Sequence, residues 1–390
     1  MSKPITTFTD FVLRILKLVF WVLAIAALVM VPIYYLLDAI FHFPVDYFAL
    51  ATVRPLDFLA FQLNLLSTEP FKTIFALTVF PGFTFVALYG TIFMGWVERK
   101  FTAKIQLRTG PMYAGKVEGI LQNFADFFKL AFKEIVIPNG VDKATFVAIP
   151  FALMAVAGAL IALVPLSPTT YIANPSVGAI LAFAILGFTP LIVLLAGWAS
   201  NSKYPFLGGL RALHQMVAYE IPMILSLVGA VLLSGSLNLM GIVSAQSGIW
   251  YILLQPLGAI VFFIAALAEL ERIPFDLPEA DSEIVAGWQT EYTSMLFGTF
   301  QLANFTRMYV LAGLFTTFFL GGWLGPPGPP PELWFILKVT VVMMVMMLPR
   351  SIMPRVRIDL LLRAGWVRLL ALSFANLFLT MVIISLGVVK

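Results

Sequence analysis

The chain has 390 residues, of which 61% are hydrophobic and only 11% charged, with a formal net charge of +4. Soluble domains carry about a quarter charged residues, so this composition belongs to a chain folded in lipid. The absence of cysteine excludes disulfides, thiolate-held iron–sulfur clusters and zinc–cysteine centres, and two histidines, His42 and His214, are too few for a membrane cytochrome with bis-histidine haems. No metal site is expected, and any redox centre must sit in a partner or a diffusible ligand.

Crossing a bilayer takes about 20 mostly apolar residues. Nine stretches meet this: 11–37, 72–97, 144–166, 177–199, 216–234, 250–269, 295–320, 332–349 and 366–388. The expected fold class is all-α, a polytopic bundle of about nine transmembrane helices plus one interfacial amphipathic helix, because a helix satisfies its own backbone in lipid. The apolar run Val12 to Leu37 is too long for a signal-peptide core and lacks a clean cleavage site, so it reads as a retained first helix. Residues 1–70 thus form a first helix and a surface connection, and 71–390 the main helical membrane domain. With the N-terminus inside, nineteen of the 24 basic residues fall on inside segments and three (Arg54, Lys72, Lys390) on outside ones, which sets the orientation. The outer turn GGWLGPPGPPP, within 321–331, is stiffened by proline.

Chemistry concentrates on the inside face. Glu98 ends the second stretch beside Arg99 and Lys100, where it can stay ionised, and Gly110-Pro111 marks a turn. From Val117 to Ile135, apolar residues recur at spacings of three and four, with Asp126, Lys129 and Lys133 on the other side: a helix lying at the membrane interface. It is either a plain surface anchor or one wall of a pocket. Glu220 follows Tyr219 near the inner start of the fifth stretch, and intramembrane acids are costly enough to be functional candidates. The loop 269–291 holds Glu269, Glu271, Arg272, Asp276, Glu279, Asp281, Glu283 and Glu291, against the basic trend of every other inside loop. Crowded carboxylates repel, so some should carry protons near neutral pH and titrate together. Buried, they would form a proton reservoir; exposed, an ordinary acidic loop. Arg307 and Asn304, on the seventh stretch, should face the bundle interior or each other, and Lys338 should snorkel. Arg355 and Arg357 offer a cationic docking surface for an acidic partner.

The segments Glu98-Arg99-Lys100 with Gln106-Leu107-Arg108, Phe124-Ala125-Asp126, GWASNSKYPFLGGLRALHQMVAYE (197–220), AELERIPFDLPEADSEIVAGWQTEY (268–292) and PRVRIDLLLRAGW (354–366) resemble, in order, the H-subunit family of NADH-quinone oxidoreductase, whose mitochondrial member is called subunit 1. The resemblance implies a membrane subunit of respiratory complex I that binds no redox cofactor itself. Quinone would be a diffusible substrate shared with partner subunits. Expected partners are peripheral-arm iron–sulfur and quinone-reductase subunits, antiporter-like and small membrane subunits, and lipid, with no nucleic acid. The location implied is the prokaryotic plasma membrane or an equivalent energy-converting membrane. By position, Glu98, Arg99, Asp126, Lys129, Arg272, Phe275 and Asp276 would belong to the quinone chamber. Tyr219, Glu220, Glu269, Glu279, Asp281, Glu283 and Glu291 would belong to the proton path. The chain departs from the usual pattern at Met112, His214, Asp281 and Asn304-Phe305, the last standing where Glu-Tyr is common, so the electron donor is left open. Two rivals remain: a membrane anchor of an energy-converting hydrogenase or formate hydrogenlyase, and a stand-alone secondary transporter, against which the lack of internal repeats speaks.

Overall fold

The computed structural model describes residues 89–115, 118–168, 171, 173–326 and 328–386, with the side chains of 281 and 282 left aside. The expected first helix at 11–37, the connection at 38–71 and the second stretch up to residue 88 lie outside the described residues. A π-helical turn, Tyr89–Met94, leads into α1 (Gly95–Ile105). The interfacial helix is α2 (Gln122–Phe132), followed by α3 (Lys143–Leu163), α4 (Gly178–Leu186), α5 (Phe188–Ala199) and α6 (Lys203–Ser234). Two short helices follow, α7 (Leu239–Ala245) and α8 (Tyr251–Leu254), and α9 (Pro256–Glu269) leads into the acidic loop. A short α10 (Asp281–Ile284) interrupts the acidic loop before α11 (Ser294–Phe319) and α12 (Pro331–Ile352). A π-helical turn, Ala364–Leu369, joins α13 (Ile358–Arg363) to α14 (Leu370–Ser385). Every regular element among the described residues is helical.

Among the described residues, five helical stretches are long and apolar enough to cross a membrane: Lys143–Leu163, Gly178–Ala199, Lys203–Ser234, Pro331–Ile352 and Ile358–Ser385. The 26-residue α11 has the length but carries Gln301, Asn304 and Arg307. It can do so because it runs through the middle: every residue from Thr306 to Phe319 is buried, and its neighbours include α3, α12, α2 and the first π turn. A helix buried on all sides is screened from lipid, so its polar groups meet protein instead. α6 is the second organiser, packed on α5, α9 and α14. The outer helix α14 presents Phe374, Phe378, Leu379 and Met381 outward, as a lipid-facing helix should.

Sequence punctuation explains the breaks. Gly187 divides α4 from α5, with Pro190 withholding a backbone donor just beyond. Pro256 starts α9, where its missing N–H costs least. Gly235 closes α6 in the left-handed conformation (φ 63°), donating its N–H back to Val231. The Asn238 side chain caps α7 by accepting from the Met240 N–H at 2.8 Å.

Two boundaries and one side chain differ from expectation. The fifth stretch, placed at 216–234, begins at Lys203, because α6 extends inward over a polar segment that hydropathy does not mark. The interfacial helix, placed at 117–135, is limited to Gln122–Phe132. Glu118 and Gly119 have positive φ, and a Cβ on Gly119 would press on the Pro111 carbonyl; Lys133 is extended. Lys338 does not snorkel to water. Its Nζ donates to the carbonyls of Leu320 (2.7 Å), Gly322 (3.0 Å) and Leu324 (2.5 Å) and lies 4.2 Å from the centre of the Trp250 ring, so it caps the C-terminal end of α11.

Candidate functional site

The acidic loop folds back onto α6 and α5 rather than reaching out. Gln215 of α6 holds it there, its Nε2 donating to the carbonyls of Ala268 and Phe275, each at 2.8 Å. Gly287 (φ 56°) lets the loop turn tightly against Pro278, where a Cβ has no room. The result is a polar cavity of about 150 Å³, lined by Leu270, Glu271, Arg272, Ile273, Asp276 and Glu279 from the loop, Gln301, Asn304 and Phe305 from α11, and Arg350 from α12. A cavity of about this size can hold a benzene ring.

Its charges form an ordered set. Arg272 and Arg350 both donate to the same carboxylate oxygen of Glu98, which is 4% exposed on α1. Burial opposes charge on Glu98, but the two guanidinium groups outweigh it and hold its carboxyl below the ordinary value. The Arg272 guanidinium also lies over the Phe305 ring, 5.2 Å from its centre. Arg355 donates to Asp276 at 3.0 Å. Glu271 is 5% exposed; its Oε2 accepts from the Trp288 indole at 3.1 Å, and its Oε1 has no partner. Burial pushes Glu271 up to about 7 against the pull of Arg307 and the indole hydrogen bond, with Glu269 and Asp276 adding to the rise. Glu279 accepts from the Gln289 amide and is raised well above the usual range, first by burial, then by Glu271 and Asp276. The arrangement therefore sets two carboxylates of raised proton affinity, Glu271 and Glu279, on one small polar cavity.

Beneath the cavity floor, Arg307 pairs with Glu269 at 3.2 Å, each side chain 1% exposed. Glu220 is a further charged neighbour of Glu269; its Oε1 occupies the niche left by Gly187, where a Cβ would come within 2.9 Å.

Among known proteins, the NADH dehydrogenase family matches residues 78–381. The NADH-quinone oxidoreductase H subunit of Bacillus cytotoxicus is 45% identical over 289 residues, which is 73% of this chain and 87% of the relative. Those of Bacillus thuringiensis and Bacillus cereus are 44% identical over 291 residues, with the same coverage. The chain belongs to this H-subunit family. As the apolar helices and the family membership together require, it is an integral membrane protein.

The residues expected at the site separate into groups. Glu98, Arg272, Asp276 and Glu279 come together at the cavity, with Glu269 and Glu220 below it. Arg99 and Asp126 pair with each other at 2.6 Å and are partly exposed, tying α1 to α2, and Lys129 is exposed on α2. Phe275 turns instead to Tyr219, ring centres 5.3 Å apart, while the Tyr219 hydroxyl donates to the Leu361 carbonyl at 3.0 Å. Glu283 is half-exposed and paired with Arg211 at 2.5 Å; Glu291 is half-buried, and neither lines the cavity. The side chain of Asp281 lies outside the described residues. Adjacency in sequence gives Glu98 to Arg99 and Lys100, but those side chains point elsewhere, to Asp126 and Glu118. Arg307 does reach Asn304, at 3.4 Å. Sequence reasoning counted Glu271 among the crowded acids of the loop without giving it a role of its own, and missed Trp288, Gln301 and Arg350 as parts of this site. Nothing in sequence brings Arg350 to Glu98, 252 residues away.

Proposed function

We propose that the chain is a membrane subunit of a complex I-type, proton-translocating quinone oxidoreductase. In this reading the polar cavity forms the inner end of the quinone chamber, completed by partner subunits of the peripheral arm, and Glu271, Glu279, Glu269 and Glu220 begin the proton path. The names of the relatives supply the quinone and the NADH; the donor of this chain's complex is a separate matter. The observation that carries the reading is the union, in and beside one small cavity, of a doubly paired Glu98–Arg272–Arg350 cluster and two carboxylates, Glu271 and Glu279, whose proton affinities are raised. A cavity of about 150 Å³ suits a quinone ring and not its isoprenoid tail, so the remainder of the quinone lies in a chamber shared with partners. Quinone reduction adds negative charge or draws protons here, and a charge placed among close carboxylates changes how all of them titrate. The N-terminus faces the inside, where electrons arrive.

The test is affinity purification of the tagged chain from its own membranes in mild detergent, followed by subunit identification and quinone-reductase assay in liposomes. Iron–sulfur quinone-reductase and antiporter-like subunits, with quinone reduction that acidifies one compartment, are the expected result. A nickel-bearing hydrogenase subunit without quinone reduction, or a chain active alone in liposomes, overturns the reading. Glu220→Gln and Glu269→Gln should each abolish proton translocation in the intact complex.

A further inference from the structure

Arg307 is the single cation of α11, and the bundle buries it to 1% exposure. Its Nη2 donates to Glu269 twice, to the main-chain carbonyl at 2.6 Å and to carboxylate Oε1 at 3.2 Å. Its Nη1 reaches Asn304 Oδ1 at 3.4 Å. These anchors differ in kind. The carbonyl and the amide hold the guanidinium in place whether or not the Glu269 carboxyl carries a proton. A guanidinium does not give up its own proton in a protein. The positive charge is therefore fixed in position and permanent, and its burial is tolerable only with an anion against it.

Among the described residues, few groups can supply the anion. Facing this centre are Glu269 from α9, Glu220 from α6 and Glu271 from the acidic loop, with Asp276 beside Glu271. Asp276 already has Arg355, and Glu98 already has Arg272 and Arg350. Glu271 lies close enough to feel the charge of Arg307, and Glu269 touches it. Oε2 of Glu269 and Oε1 of Glu271 are both buried without a hydrogen-bond partner, so each acid keeps one acceptor atom free. Asn304 connects the levels: it lines the cavity and touches Arg307 one turn further along α11.

We infer that Arg307 is a positioning residue that holds a resident negative charge beneath the cavity floor, shared between Glu269 and Glu271. A proton delivered from the cavity then always meets an ionised acceptor, and the acceptor recovers its charge by passing the proton on toward Glu220. The second half of this statement rests on the proposed proton path; the resident charge itself does not. Arg307 touches no substrate and acts only through these carboxylates.

The experiment compares the intact purified complex with its Arg307→Met and Arg307→Lys variants by infrared spectroscopy in the carbonyl-stretch region of protonated carboxylic acids. Arg307→Met should add a protonated-acid band that disappears again in Arg307→Met/Glu269→Gln, and Arg307→Lys should not show it. No added band in an Arg307→Met complex of normal subunit composition overturns the inference. The pH profile of quinone reduction separates this inference from the functional reading. Its acid limb should move up by about 1–3 pH units in Arg307→Met and stay in place in Arg307→Lys. A new band with an unmoved profile keeps the resident charge and sinks the relay. If Arg307→Met does not assemble, Glu269→Gln reads the same charge from the other side. Arg307 then takes Glu271 as its anion, and the protonated-acid band of Glu271 below pH 7, identified by its absence in Glu271→Gln, should vanish; its persistence overturns the inference.

Discussion

Removing the Glu98 carboxylate by Glu98→Ala leaves two guanidinium groups without their shared anion, and the two do not suffer equally. The side chain of Arg272 is 13% exposed and that of Arg350 is 49% exposed, while the Glu98 side chain is 5% exposed. Arg272 is thus a mostly buried cation, and stripping the partner from such a pair costs about 3–5 kcal/mol. Arg350 can turn to water, so its half of the cluster behaves as a surface bridge worth about 0–1 kcal/mol. At about 2–4 °C per kcal/mol, Glu98→Ala should lower the thermal midpoint by about 6 °C or more, and Arg350→Ala by about 4 °C or less. Scanning fluorimetry of the purified complex, with subunit composition checked after heating, measures both. Equal losses from Glu98→Ala and Arg350→Ala would refute the reasoning, because they would mean that exposure does not decide the cost of the unpaired charge.

Three further outcomes follow from the same geometry. Glu271 is protonated in the folded chain up to about pH 7 but only to about 4.5 when unfolded, so the folded state binds the extra proton between those values and loses stability as pH rises through them. Glu271→Gln, which mimics the protonated acid, should flatten the decline of the melting midpoint over that window. Trp288→Phe removes the indole donor from a buried carboxylate oxygen and should cost about 1.5–3 kcal/mol in thermal scans, an effect that shrinks when Glu271 is already replaced by Leu. Gly187→Ala should displace the Glu220 carboxylate and impair proton translocation measured with a pH-sensitive dye, although Gly187 has ordinary helical backbone angles. Gly235→Ala makes the control, since nothing lies within 4 Å of its Cβ and only backbone strain is felt, leaving translocation intact.

Most of the fold was legible because crossing a bilayer is a one-dimensional requirement written in hydropathy. The stretches at 144–166, 177–199, 295–320 and 332–349 fall within a few residues of α3, α4–α5, α11 and α12. What hydropathy cannot report is a helix that continues out of the membrane. The Lys203-to-Gln215 part of α6 carries Lys203, Arg211 and His214, so hydropathy starts the stretch late. Half of the site was legible for a similar reason: acids crowded into a basic surface conflict with the charge trend, and that conflict marks 269–291. The partners of those acids were not legible. Arg272 and Arg350 approach Glu98 from 174 and 252 residues away, and the nearer cations in sequence, Arg99 and Lys100, point elsewhere. Distance along the chain carries no information about which guanidinium a folded bundle brings to a carboxylate.

The Trp288 indole that holds Glu271 is also the first ring of an aromatic stack. Its ring centre lies 4.8 Å from that of Phe300, which lies 4.7 Å from that of Tyr292, which in turn stacks flat on Phe146 of α3 at 4.0 Å. Trp288, Phe300 and Phe146 are wholly buried, in a smaller core separate from the main one. Close-packed rings have no slack, so a shift of one must be taken up by the next. The Glu271 hydrogen bond therefore ties a titrating group to the rigid frame of α3 as a strut ties a lever to a wall. Rotating that carboxylate is as much a mechanical event as an electrical one.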